Sequence, residues 1–301
     1  MIIWRQWFWK CSQLMGIGTI VLIGVQSPFP GVAQTPKPVT RPTKPLVQPR
    51  QAPAPKPPVR TPSNRSRRLT FIPPLPPQTG RASVTRGAAT RSGTCSSVPL
   101  PLTALVPTHT LTTGEVMGIQ QTTSAYPTLW VYLPYELTPE RPAELRLEIP
   151  ATGQYVTQRT VLRLTAVKAG IIGIQIPATE APLKVGQRTD WTFVVRCDPN
   201  DFSANKFVNL SVQRIEVARS LQQQLAIATP IDRVALYAEA GIWENALTTL
   251  ANLRQQFLKQ SDLTADWAQL LGAINFSEDF SQQPISHPST NAKNHFLKAV
   301  D

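Results

Sequence analysis

Short runs of alternating apolar and polar residues fill the middle of the chain, from residue 92 to residue 217. In one run Leu145, Leu147 and Ile149 alternate with charged residues, which is typical of a strand with one buried and one solvent-facing side. About seven runs follow one another without a helical pattern between them, so residues 92–217 predict an antiparallel β-sandwich or an open barrel. The runs lie at 102–106, 129–133, 145–149, 155–165, 171–176, 191–197 and 207–217.

The apolar spacing then changes, and residues 218–276 have the three-to-four-residue period of amphipathic helices. Thr229 and Pro230 provide a capping hydroxyl and a first-turn proline. The segment YAEAGIWENALTTLANL, residues 237–253, resembles a tetratricopeptide hairpin, although stable arrays of that repeat need about three copies. We therefore predict an α+β fold in which a small C-terminal helical bundle packs on the β-domain, with a dedicated peptide groove as the alternative. Residues 277–301 are polar and aperiodic, and they predict a flexible tail.

The strand predicted at 129–133 has large apolar residues on both sides, because Trp130 and Tyr132 alternate with three aliphatic residues. One side faces the core of the β-domain, and the other side requires a cover. The C-terminal helices are the simpler cover, and a partner protein is the alternative.

The first 33 residues have the pattern of a secretory signal peptide. Arg5 and Lys10 precede an apolar stretch from Leu14 to Val25, whose 12 residues are fewer than the roughly 20 that span a membrane. Small residues up to Ala33 indicate cleavage after that position. The sequence therefore predicts export, to the periplasm or outside the cell, with no membrane span in the mature chain. An uncleaved N-terminal anchor is the alternative.

Cleavage removes Cys11 and leaves two cysteines, Cys95 and Cys197. In an oxidising compartment an isolated pair most simply forms a disulfide. Cys197 follows three apolar residues at alternate positions of its strand, which predicts a buried sulfur and therefore a poor nucleophile. We predict a Cys95–Cys197 disulfide, with two free structural thiols as the alternative.

The formal net charge of +12 is concentrated before residue 92. Residues 34–91 contain 12 Lys or Arg, 14 Pro and no acidic residue, whereas residues 92–301 contain 16 basic and 18 acidic residues. Prolines and like charges favour an extended chain without a core, so residues 34–91 predict a disordered basic arm. The arm is expected to act as a spacer, or alternatively to adhere weakly to an anionic envelope polymer. Only one aromatic residue, Phe71, lies among the basic ones and no stacking platform results, so we do not predict nucleic-acid binding.

Several longer motifs follow in a fixed order, and together they resemble domain of unknown function 928, a family of exported cyanobacterial proteins. The resemblance covers about residues 90–272 and implies a signal-bearing protein with a proline-rich arm and no assigned reaction. The motifs are LTALVP at 102–107, YPTLWVYLPY at 126–135, DWTFVVRCDPND at 190–201 and ATPIDRVALYAEAGIWENALTTLANLR at 228–254.

Few residues are suited to catalysis, and we predict no catalytic, cofactor-binding or metal-binding residue. Among the histidines His109, His287 and His295, only His109 precedes the tail, and a single loop histidine is a weak candidate for a base. The loop from Asp198 to Asn205 has oxygens for calcium or for capping its own turn, and its lack of glycine favours the turn.

The sequence thus predicts a non-enzymatic envelope protein that binds another envelope component, either a protein or an anionic polymer. The alternative is a hydrolase of envelope polysaccharide, since such enzymes use paired carboxylates. The carboxylates available for a pair are Glu136, Glu140, Glu144 and Glu148.

Overall fold

The computed structural model describes residues 69–75, 82–87, 95, 97–149 and 158–288, without the side chains of 158–160. The chain divides into the units Met1–Pro62 and Ser63–Asp301, and every described residue belongs to the second unit. The predicted signal peptide therefore lies outside the described residues. So do residues 34–68 of the predicted arm and residues 289–301 of the predicted tail.

Ten strands of the described chain form two β-sheets. Their strands are β1 (Thr103–Ala104), β2 (Thr108–Thr110), β3 (Val116–Thr122), β4 (Thr128–Leu133), β5 (Ala143–Ile149), β6 (Gln158–Leu164), β7 (Gly170–Gln175), β8 (Arg188–Val195), β9 (Lys206–Arg214) and β10 (Ile285–Ser286). A four-stranded sheet has the order β1-β4-β7-β10, and a six-stranded sheet has the order β2-β3-β9-β8-β5-β6. These described strands do not close into a barrel.

The two sheets share one hydrophobic core, to which β1 and β4–β9 contribute residues, mostly at alternate positions. Val131 and Ile172 come from the four-stranded sheet, and Leu145 and Phe193 come from the six-stranded sheet. All four are fully or almost fully buried. The mixed α+β class is thus confirmed, with two sheets around one core.

The prediction of wholly antiparallel pairing is wrong at two places. β3 pairs with β9 in parallel, and β10 pairs with β7 in parallel. β3 and β10 come from segments that have no clear apolar alternation. β3 contains the polar pair Gln120 and Gln121, and β10 has only two residues. Their parallel partners, β9 and β7, lie far away in sequence, so no local pattern indicated this pairing.

Helices follow the sheets, as their apolar spacing predicted. They are α1 (Arg219–Ile227), α2 (Pro230–Glu239), α3 (Trp243–Gln256), α4 (Ser261–Gly272) and the single turn α5 (Glu278–Ser281). The Thr229 hydroxyl accepts a hydrogen bond from the Asp232 N–H, and Pro230 begins α2, so the predicted cap is confirmed.

A short turn joins α2 to α3, and these two helices pack against each other. Gly241 in this turn has a positive φ of 74°, which disfavours other residues. A Cβ at this position would also lie 2.8 Å from the carbonyl oxygen of Ile72. The likeness of this pair to a tetratricopeptide hairpin stays a prediction.

The helices cover the second apolar side of β4, as expected. Trp130 and Tyr132 belong to a second core together with Trp243, Leu250 and Trp267. The Trp130 indole N–H donates to the Thr248 hydroxyl at 2.9 Å. β4 therefore contributes one side to each core.

The predicted disordered arm is wrong for residues 69–75 and 82–87. Leu69 and Phe71 are buried in the second core, and the Phe71 ring lies 4.9 Å from the Trp243 ring. In the second segment, the Gly87 N–H donates to the Leu102 carbonyl at 2.7 Å. The arm's average composition, rich in proline and charge, concealed the few apolar residues that are buried.

The predicted flexible tail is also wrong for residues 277–288, which form α5 and β10. Phe280 is buried and makes edge-to-face contacts with Tyr132 at 5.3 Å and Phe276 at 5.0 Å. Ile285 pairs with Ile171 of β7. Single apolar residues pack this segment against the rest of the fold. They are too few to form a periodic pattern in the sequence.

Candidate functional site

Cys95 and Cys197 are buried side by side in the first core. Each is 1 % exposed, their sulfurs lie 2.05 Å apart, and their Cα atoms lie 5.3 Å apart. This is the distance of a disulfide bond. The alternation of residues 191–197 led to the expected buried position of Cys197. This pair links the start of the β-domain to the end of β8.

The oxygens of the loop after Cys197 are used within the loop. The Asp198 carboxylate accepts from the Asn200 N–H at 2.8 Å. The Asp201 carboxylate accepts from the Ser203 N–H at 2.9 Å and from its hydroxyl at 2.6 Å, and these bonds lower the Asp201 pKa. The Asn205 side chain accepts from the Cys197 N–H. These bonds are the turn-capping role that the sequence favoured.

The two described histidines belong to different sheets. His109 lies in β2, and His287 follows β10 and packs edge-to-face on Trp130, with ring centroids 5.0 Å apart. Burial lowers the pKa of both side chains, and a hydrogen bond with the Gly173 backbone partly opposes this effect at His287. His295 lies outside the described residues.

Of the four glutamates considered for a carboxylate pair, only Glu144 is buried. Arg146 Nη2 donates to its carboxylate at 2.9 Å, Arg196 Nη2 at 3.1 Å and Arg163 Nη2 at 3.3 Å. Burial alone would raise the pKa of Glu144. The hydrogen bonds and positive charges of Arg146 and Arg196 outweigh it and lower that pKa to about 2. Glu144 is therefore a permanent anion at neutral pH.

Strand register brings these groups together. Glu144 in β5 pairs with Arg163 in β6 on one side and with Val194 in β8 on the other. Arg146 follows two residues later on the same side of β5, and Arg196 follows Val194 in the same way. All four charged side chains thus project from the side of the six-stranded sheet that faces away from the first core.

This cluster has more positive than negative charge. Its three guanidinium groups and one carboxylate leave a formal charge of +2 among the four groups. The side chains of Arg163, Arg146 and Arg196 are 52 %, 27 % and 21 % exposed, so solvent reaches each of them.

A second polar group on the same side of the sheet is balanced by contrast. Arg188 Nε lies 3.3 Å from the Asp190 carboxylate, and the Ser211 hydroxyl donates to that carboxylate at 2.6 Å. One cation and one anion cancel in this group. The excess of arginine is therefore particular to the surroundings of Glu144 and is not common to the whole sheet.

An exposed aromatic ring borders the cluster. The Phe202 side chain is exposed, and the Arg196 guanidinium lies 5.0 Å from the centre of its ring. We call Arg146, Arg163, Arg196, Glu144 and Phe202 the arginine surface. The sequence indicated that Glu144 and Arg146 face solvent, but it did not indicate that Arg163 and Arg196 join them.

Within the described ranges, no helix is both long and apolar enough to cross a membrane, and no group of three or more His, Cys, Asp or Glu could hold a metal ion. A search of curated proteins found no match to the chain. Residues 86–285 match the family described as Domain of Unknown Function (DUF928). This match covers well over half of the chain and confirms the resemblance drawn from the motifs. The chain belongs to the Domain of Unknown Function (DUF928) family.

Proposed function

We propose that the protein is an exported, non-enzymatic envelope protein that binds an anionic polysaccharide through the arginine surface. The observation that carries this proposal is the convergence of three arginines on a single carboxylate. Three guanidinium groups around one carboxylate leave a net positive charge among these four groups, and this charge attracts an anionic ligand.

The chemistry of the surface suits such a ligand. Guanidinium groups bind the planar carboxylates of acidic sugars, or their sulfate and phosphate substituents, through paired N–H donors. Glu144 holds Arg146 and Arg196 in place before binding, which reduces the entropy that binding must overcome. Phe202 offers an exposed ring beside them, against which the apolar face of a sugar can pack.

The basic arm strengthens the same interaction in this proposal. Its 12 Lys or Arg between residues 34 and 91 attract polyanions over a Debye length of about 8 Å at physiological salt. The folded part supplies geometry, and the arm supplies reach and long-range attraction. Export and the Cys95–Cys197 disulfide belong to this proposal too, because an envelope ligand requires both the location and the oxidising setting.

A hydrolytic function has less support. A glycosidase needs a protonated carboxylic acid at working pH. Glu144 does not meet this requirement, because its arginine neighbours keep its pKa at about 2.

The test is polysaccharide binding by the full mature chain with altered charge. The background variant replaces the six Lys or Arg between residues 37 and 60 by Gln, which halves the number of basic residues in the arm. In this background Arg163→Glu reverses the most exposed charge of the surface, and Arg219→Glu reverses an exposed arginine of α1 as a matched control. Polygalacturonate is the ligand, and uncharged dextran is the control polymer.

We expect the background variant to bind polygalacturonate and not dextran, with affinity that falls as salt rises. Arg163→Glu should weaken binding at low salt roughly tenfold, because it replaces attraction by repulsion. Arg219→Glu, with the same change in net charge, should have a much smaller effect. Equal binding by Arg163→Glu and Arg219→Glu, or loss of all binding in the arm background, would show that the arginine surface is not the site.

A further inference from the structure

A second exposed aromatic ring lies beside the arginine surface. Phe207 of β9 is 43 % exposed, and it pairs with Val194 of β8. Val194 in turn pairs with Glu144, and Glu144 pairs with Arg163 of β6. Residues that pair directly across neighbouring strands project from the same side of a sheet, so Phe207 shares its side with the arginine surface. We call Phe202 and Phe207 the aromatic end of this surface.

The charges and the rings lie along a row that crosses four strands. The sheet order β6-β5-β8-β9 places Arg163 at one end of the row and Phe207 at the other. Neighbouring strands lie about 4.8 Å apart, so three strand spacings separate these two positions by about 14 Å. Between them, the Arg196 guanidinium donates to the Glu144 carboxylate at 3.1 Å and lies 5.0 Å from the centre of the Phe202 ring. One sugar ring is much shorter than this row, so a ligand that contacts both ends has several units.

Carboxylates lie beside the aromatic end. Asp201 directly precedes Phe202, and Asp198 belongs to the same loop. Hydrogen bonds from the Ser203 hydroxyl and N–H lower the Asp201 pKa, so this carboxylate is charged at neutral pH. Negative charge therefore disfavours an acidic group of a ligand at the aromatic end, whereas the excess of arginine attracts one at the other end.

We propose that the arginine surface binds a polysaccharide in which acidic and neutral sugar units alternate. An acidic unit lies at Arg146 and Arg163, and a neutral unit packs on the aromatic end. The face of an aromatic ring carries partial negative charge, so it attracts the C–H groups of a neutral sugar and repels a carboxylate. This inference rests on the proposed function and names the class of polysaccharide that the same surface selects.

The experiment is isothermal titration calorimetry of three hexasaccharides with the full mature chain in the arm background. A hyaluronan hexasaccharide alternates acidic and neutral units, hexagalacturonate has acidic units alone, and a hexamer of N-acetylglucosamine has neutral units alone. Phe207→Ala removes one ring of the aromatic end, and Phe207→Tyr keeps it. Phe257→Ala is the matched control, because Phe257 follows α3 and is 42 % exposed, almost the same fraction as Phe207. Circular dichroism checks that each variant is folded.

We expect the hyaluronan hexasaccharide to bind more tightly than hexagalacturonate, although it carries half the charge, and the neutral hexamer not to bind. Phe207→Ala should weaken hyaluronan binding roughly fivefold through loss of one ring contact, and it should leave hexagalacturonate binding almost unchanged. Phe207→Tyr and Phe257→Ala should bind each hexasaccharide as the background variant does.

A second variant tests the carboxylate beside the rings. Asp201→Asn removes the charge and keeps the side-chain oxygen that accepts from Ser203. It should narrow the difference between the two acidic hexasaccharides, because an acidic unit then meets less repulsion at the aromatic end. Asp262→Asn removes an exposed charge of α4 and should leave the difference unchanged.

Arg163→Glu separates a failure of polysaccharide binding from a failure of this selectivity. If neither acidic hexasaccharide binds, or if Arg163→Glu binds both as tightly as the background variant does, the arginine surface is not a polysaccharide site and the inference falls with it. Weaker binding by Arg163→Glu would leave the site in place. In that case, equal affinity for the two acidic hexasaccharides, or equal hyaluronan binding by Phe207→Ala and Phe257→Ala, would mean that the surface selects charge alone and that the inference is wrong.

Discussion

Glu244 shows how a single buried carboxyl connects the two parts of the fold. It accepts hydrogen bonds from the Thr122 hydroxyl of β3 at 2.6 Å, the Thr128 N–H of β4 at 2.9 Å and the Thr248 hydroxyl of α3 at 3.0 Å. Burial raises its pKa, and these bonds only partly oppose the rise. The described structure shows no ion pair to this carboxyl, so its protonated form is the one that the fold favours.

Glu244→Gln should change how stability depends on pH. Because the folded pKa is raised, its contribution is fully present below the unfolded value of 4.5 and is lost as pH rises through the folded pKa. The loss is about 1.4 kcal/mol for each pH unit between these two values. The neutral amide of the variant removes this loss, so the variant should gain stability relative to wild type as pH rises through that window.

Urea unfolding at several pH values measures this difference. Glu239→Gln is the control, because Glu239 is an exposed glutamate on the neighbouring α2. It should leave the pH dependence unchanged. Parallel curves for wild type and Glu244→Gln would mean that Glu244 does not titrate differently in the folded state.

Cys95 and Cys197 should be joined by a disulfide in the native protein. In protein purified from its native source, a maleimide applied under denaturing, non-reducing conditions should not label Cys95 or Cys197. Both should react after reduction, and the chain should begin near Gln34. Replacing both by serine should lower the free energy of unfolding by up to about 4.7 kcal/mol, because the bond closes a loop of 102 residues. Full labelling without reductant, on a chain with an intact N-terminus, would contradict both oxidation and export.

At the scale of elements, the sequence was most informative where burial repeats with a fixed period. Alternation located β5 and β8, and the helical period with the Thr229 cap located α2 and α3. β2, β3 and β10 were missed, because these strands are short or polar and because β3 and β10 pair in parallel with strands distant in sequence. The segment at 69–75 was missed for a different reason, because its few apolar residues are surrounded by proline and charge.

Phe71→Ala tests whether that segment is part of the fold. Phe71 is 8 % exposed and packs on Trp243, so its truncation should cost about 3 kcal/mol in the free energy of unfolding. Leu75→Ala in the same segment is the control. Leu75 is 93 % exposed, and its truncation should change stability by less than about 0.5 kcal/mol. Chemical denaturation measures both free energies of unfolding. Equal stability of the two variants would mean that residues 69–75 belong to the disordered arm and not to the fold.

At the scale of the whole molecule, the excess of positive charge lies before residue 92, whereas the two cores are formed mostly by residues after it. Counting the charged residues along the sequence was enough to locate the basic excess in the arm. The arginine surface was not predicted. It depends on the register of β5, β6 and β8. Such sites exist only once distant segments are paired, so no local pattern indicates them.

Because β4 contributes one side to each core, we expect the two cores to unfold together. Trp191 reports on the first core and Trp267 on the second, so fluorotryptophan NMR can follow each during urea unfolding. Leu250→Ala truncates a side chain of the second core. It should lower the urea midpoint of both signals equally, and the free energy of unfolding should fall by about 2–5 kcal/mol.

Leu258→Ala should leave both midpoints unchanged, because Leu258 is 83 % exposed near the same end of the helical region. If Trp191 kept its midpoint in Leu250→Ala while Trp267 lost stability, the cores would be separate folding units. β4 and Glu244 would then be insufficient to couple them. A common shift would instead show that the helices are a structural part of the β-domain, since the second side of β4 cannot remain folded without them.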